Sequence, residues 1–103
     1  MKWNQVIAAG EEGKFGPKWI MLAAIKIGDK IRYDTRHHLI IQELAKNRKL
    51  ANEPKPDYSN QGFLLNNGEF ISREEAKLLA ISNGQLTKPS SSPRLYSEDL
   101  WEI

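Results

Sequence analysis

The longest apolar run of the chain is Trp19, Ile20, Met21, Leu22, Ala23, Ala24 and Ile25. In an extended strand, Trp19, Met21, Ala23, Ile25 and Ile27 fall on one face and Ile20, Leu22 and Ala24 on the other. A half-exposed strand alternates with polar residues; this one does not, so it is either central and covered on both sides or buried by another subunit. Gly28-Asp29 is a two-residue pair of the kind that closes a tight hairpin, and a second strand follows it. Beyond Tyr33 the period turns helical. His37, Ile40, Ile41 and Leu44 recur at i, i+3, i+4 and i+7, Asp34 or Thr35 is placed to cap, and the helix is expected to end near Asn47. The stretch 52–60, with two prolines, reads as a surface connection.

The pattern is clearest from Ser59 to Gln85. "GFLL" and "EFIS" flank Asn66-Asn67-Gly68, residues that tolerate the positive φ of a tight hairpin. Ser72 with Glu75 three residues on is a capping box, and the helix it starts runs to Asn83, with Gly84 in the left-handed position after it. Residues 87–93 read as a flexible Ser/Pro-rich linker. The tail 94–103 carries Leu95, Tyr96, Leu100 and Trp101 and is too apolar to float free. The expected fold is therefore α+β: one domain over 1–103 with a small antiparallel sheet built from two hairpins and two helices packed on one face. Residues 1–17 form an N-terminal extension, and the two-sided apolar strand points to a homo-oligomer.

Composition narrows the function classes. A chain of 103 residues buries about 60–70% of the surface it exposes when unfolded, so its core is thin. It has no cysteine, which removes disulfides and thiolate metal sites as supports and is compatible with a reducing cytoplasm. Fifteen basic and 13 acidic residues, well mixed, give a net charge of +2, too little for a broad footprint on duplex nucleic acid. The longest apolar run is far below the ~20 residues a membrane helix needs. Any anionic ligand is expected to be small and locally held.

Candidate chemistry gathers at the starts of the two helices. Arg36, His37 and His38 open the first, where unpaired N–H groups and the helix dipole favour an anion; His37 on the apolar stripe is equally a core residue. Arg73 opens the second, opposing the dipole, and a guanidinium there suits a bidentate grip on phosphate or carboxylate. Glu74 is accounted for by the dipole and Glu75 by the capping box. Phe63 and Phe70 flank the turn as core residues, or as a stacking surface for a base where one is exposed at a subunit boundary. Adjacent histidines lack the i, i+4 spacing of a helical zinc pair, and no phosphate loop, dinucleotide fingerprint or nucleophile elbow occurs. A hydrolase built on His37 or His38 with Asp34 stays open. The dominant signal is a binding fold without catalytic residues, metal or cofactor.

Taken together, "IRYDTRHHLIIQEL", "NQGFLLNNGEFISREEAKLLAISNGQ" and "LYSEDLW" resemble a widespread family of small phage proteins, the first-described type of phage anti-Thoeris proteins, over roughly residues 20–101. The resemblance implies a sponge that acts in the cytoplasm of the infected bacterium. Such a protein binds cyclic ADP-ribose-type signals made by bacterial immune TIR enzymes, holds them without cleavage and so blocks Thoeris-type immunity. It also implies homodimers that can assemble into hexamers, nucleotide pockets between subunits and, in some members, separate sites for cyclic oligonucleotides. Carried onto the matching positions, the ligand-binding set is Arg36, His37, Gln61, Phe63, Arg73, Glu75 and Gln85, with Lys88 or Arg94 as the basic residue near the pocket. The chain departs from the pattern in its Ser/Pro-rich 86–94 stretch and in its N-terminal extension. From a different class, an inhibitor that binds a host defence protein through the apolar strand or the "SEDLW" tail fits the same residues.

Overall fold

The structure is a computed structural model that describes residues 1–46, 60–87 and 91–102. In chain order the elements are helix α1 (Trp3–Glu11), strands β1 (Ile20–Ile27) and β2 (Lys30–Asp34), helix α2 (His37–Lys46), strands β3 (Gln61–Leu65) and β4 (Phe70–Ser72), helix α3 (Arg73–Asn83) and a single 3-10 turn at Ser97–Asp99. The four strands form one antiparallel sheet in the order β2-β1-β3-β4. β1 is thus an inner strand, which accounts for its continuous apolar run. The fold is α+β, as its alternation of period implies.

Two local features fix the register. β1 and β3 pair Ile25 with Gln61 and Ala23 with Phe63, but the pairing slips between Ile20 and Leu22. This bulge puts Ile20, rather than Met21, into the core with Ala23, so strict alternation gives the wrong face for the start of the strand. The β3-β4 turn closes through Gly68 at φ +88, with Leu65 N–H donating to Glu69 O over 2.8 Å. At the end of α3, Gly84 takes the left-handed cap at φ +84, and Ser72 Oγ accepts from Glu75 N–H at its start over 3.1 Å.

The main core joins Ile20, Ala23, Phe63 and Leu65 of the sheet to Ala76 and Ala80 of α3, and to Leu95, Leu100 and Trp101 of the tail. A smaller cluster sets Ile40 of α2 on Ile25 and Ile27, with Leu44 half-buried beside it. Ile41, expected on the same stripe, is 40% exposed. Two helices were expected and the described residues hold three. The N-terminal extension contains α1, whose Val6 enters the main core and whose Trp3 indole N–H donates to Met21 O over 2.8 Å. Gly10 lies flat on the Trp19 indole, so close that a Cβ would stand 2.4 Å from the ring. The two ends of the described chain meet as well: Glu102 N–H donates to Met1 O over 2.8 Å.

Candidate functional site

Helix α3 is inverted relative to the usual amphipathic rule. Its buried stripe is Arg73, Ala76, Lys77 and Ala80, at i, i+3, i+4 and i+7, while Leu78 and Ile81 are 71% and 58% exposed. Small alanines let the helix approach the sheet, and the long stems of Arg73 and Lys77 fill the space under the tail with their charged ends on backbone carbonyls. Lys77 Nζ donates to Ser92 O. Arg73 Nη1 donates to Leu95 O over 2.8 Å and Nη2 to Gln61 Oε1 over 2.6 Å, with its guanidinium 4.9 Å from the centre of the Tyr96 ring. In return Leu95 N–H donates to Arg73 O.

The start of α2 faces the same tail. Arg36 Nη2 donates to Trp101 O over 2.6 Å, and the Trp101 indole N–H donates back to Thr35 O over 2.9 Å. His37 Nε2 stands 2.6 Å from Gly62 O, and its ring meets Phe63 edge-on at 5.0 Å. Burial, and then the positive charge of Arg73, hold the imidazole down at about 4, against the opposing pull of the Gly62 carbonyl and Glu98. At neutral pH it is therefore uncharged. Since Gly62 O only accepts, Nε2 carries the proton and Nδ1 is the bare nitrogen.

Arg36, His37, Gln61 and Arg73 of the expected set thus form one buried cluster where α2, β3, α3 and the tail converge. Two guanidiniums lie in it, 5% and 4% exposed. Glu98, an exposed carboxylate, comes to 3.9 Å of Arg36 Nη1. That nitrogen is buried and has no hydrogen-bond partner among the described residues, nor has the Ser97 hydroxyl one position before Glu98. Leaving such a group unsatisfied costs about 1–3 kcal/mol.

The other expected residues lie elsewhere or serve the fold. Phe63 is fully buried and offers no face to a base within one chain; Phe70, half-buried, lies against Gly62. Glu75 is exposed in the capping box. Gln85 sits beyond the far end of α3, where its carboxamide replaces a missing strand partner: Ile20 N–H donates to Oε1 over 2.7 Å and Nε2 donates to Ile20 O over 2.9 Å. Arg94 pairs with Glu74 at the surface, 3.3 Å apart. Lys88 lies outside the described residues. Sequence reasoning missed Glu98, Ser97 and the Trp101 carbonyl. The available signal was two arginines at helix starts, which a solvated position would not need to bring together.

The imidazole is tied through Nε2 to a backbone carbonyl, and Asp34 accepts from Thr35 N–H. No group of three or more His, Asp or Glu residues able to hold a metal ion occurs among the described residues. No described helix is long and apolar enough to cross a membrane. Of two concavities, the first lies apart from the cluster and the second reaches its edge at Glu98 and Trp101. One of about 340 Å³ separates β2 from α2, lined by Ile31, Tyr33, Ile40 and Leu44 among others. Another of about 310 Å³ lies between the N-terminal segment and the tail, lined by Phe15, Gln85 and Trp101 among others.

The sequence profile of the phage T4 y16D protein family matches residues 19–101. The chain belongs to that phage protein family. No curated protein and no solved structure gives a significant match. The match to the y16D family begins at Trp19 and so includes the sheet, α2, α3, the buried cluster and the tail through Trp101, while α1 lies before it.

Proposed function

We propose that the protein is a non-enzymatic phage anti-defence factor that binds cyclic ADP-ribose-type signalling nucleotides and sequesters them intact, acting as a homo-oligomer in the cytoplasm of the infected cell. The observation that carries this reading is the burial of two guanidiniums, Arg36 and Arg73, against the tail, with the His37 imidazole kept neutral by burial and by Arg73 and bonded to a backbone carbonyl. Buried guanidiniums of this kind suit a bound anion. The residues that build it are those on which the resemblance to anti-Thoeris proteins rests. A pyrophosphate-bridged ring supplies the anion, and a boundary between copies completes the pocket around it. To compete with an immune receptor the affinity must be sub-micromolar, more favourable than about −8 kcal/mol.

A second reading is favoured by the exposed Leu78 and Ile81 on α3: direct inhibition of a host defence protein docked on that apolar face. The two readings separate in one experiment. The purified protein is incubated with glycocyclic ADP-ribose, freed of unbound nucleotide and denatured by heat, and the released material is weighed by mass spectrometry. Intact nucleotide is the expected result. Altered nucleotide turns the reading to a hydrolase, and no capture by a monomeric protein turns it to the protein-binding inhibitor.

A further inference from the structure

We infer that the Glu98 carboxylate is a displaceable counter-ion of Arg36, standing where an oxygen of a phosphate-bearing ligand binds and thereby setting the affinity of the cluster for anions. The inference rests on the anion-binding part of the reading above and names the residue that competes with the ligand. Arg36 is 5% exposed, and its Nη1 has no hydrogen-bond partner among the described residues. The Glu98 oxygen at 3.9 Å is an ion-pair contact, too long to accept a hydrogen bond. Nη1 thus lies near negative charge without being satisfied by it.

Accessibility follows from the asymmetry of the pair. The guanidinium side chain is 6% exposed and the carboxylate side chain 62%. An anionic oxygen reaches Nη1 along the path the Glu98 carboxyl itself takes, and that carboxyl, on a flexible and mostly solvated stem, swings into water at little cost. The charge of Glu98 also opposes, weakly, the lowering of the His37 pKa. The Ser97 hydroxyl, in the same 3-10 turn as Glu98, is buried and has no hydrogen-bond partner among the described residues. A ligand oxygen closer than 3.9 Å would complete a charge-assisted hydrogen bond that Glu98 leaves long.

The test is calorimetric titration of the full chain with inorganic pyrophosphate at low ionic strength and pH 7.5. Glu98→Gln keeps the size of the side chain and removes the competing charge. Glu74→Gln removes the same charge from a surface pair with Arg94 and controls for net charge. The expected result is pyrophosphate bound about three- to tenfold more tightly by Glu98→Gln than by the natural protein, with Glu74→Gln within about twofold of it. Glu98→Asp, whose carboxylate is drawn back, falls between. Equal affinities in Glu98→Gln and Glu74→Gln, or no pyrophosphate binding by Glu98→Gln, overturn the inference. If glycocyclic ADP-ribose is still captured intact in that case, the counter-ion role alone is lost and sequestration stands.

Discussion

His37 makes a pH dependence that can be calculated. In the unfolded chain an imidazole titrates near 6.5, and in the folded protein burial and Arg73 hold His37 at about 4. The folded value is the lower one, so as pH falls below about 6.5 the unfolded state takes up a proton that the native state refuses, and stability falls. The loss accumulates through the window from 6.5 to about 4 and stops below it. Between pH 7.5 and 5 it amounts to about 2 kcal/mol, and its full extent is roughly 3 kcal/mol. The assay is urea unfolding at pH 7.5, 6.5, 5.5 and 5.0, in a His38→Gln background, with and without His37→Gln. Carboxylates that begin to titrate near pH 5 do so in both proteins and cancel in the difference. The protein with His37 is expected to lose about 2 kcal/mol more over that range than the one without. Equal losses would show that the imidazole is not held neutral against Gly62 O, and the electrostatic account of the cluster would fail with it.

Other substitutions test the supports of the site. Gln85→Ala removes both hydrogen bonds to the Ile20 backbone, leaving a buried N–H and C=O at the bulge without their partner; a loss of about 2–4 kcal/mol is expected in chemical denaturation. Phe63→Ala empties a fully buried aromatic site and is expected to cost about 3–5 kcal/mol, so its effect appears first as a lowered unfolding midpoint and not as a selective loss of ligand. Gly10→Ala drives a Cβ into the Trp19 indole; thermal unfolding is expected to show destabilisation of about 1–3 kcal/mol even though alanine is the better helix former.

Much of the fold is written in local chemistry. The Gly28-Asp29 and Asn66-Asn67-Gly68 turns, the Ser72/Glu75 box and the Gly84 cap each act within a few residues, and each can be read from the chain alone. What escapes such reading depends on distant partners. The bulge that exchanges Ile20 for Met21 is stabilised by Gln85, 65 positions away. α1 has a lysine at its N-cap and a glycine inside its last turn, features that argue against a helix until Trp19 covers the glycine. The inward face of α3 is illegible to any rule that places charge outside, because the acceptors of Arg73 and Lys77 are carbonyls of a tail some 15 to 22 positions on. Of the candidate site, the sequence yields the cations, whereas Glu98 becomes visible only once the tail is folded back.

Under the proposed function, that arrangement joins stability and recognition in the same side chains. Arg36, just before α2, and Arg73, at the start of α3, each spend hydrogen bonds on the main chain of the tail, at Trp101 and Leu95. Removing either leaves a buried carbonyl without its donor, so loss of binding in an alanine variant does not by itself assign a residue to the ligand. Glu98 is free of this ambiguity. Its side chain is mostly solvated, and its ion pair with Arg36 is long. Its charge can be removed with little structural consequence, which makes the response of anion affinity at that position the most direct reading of what the buried arginines are for.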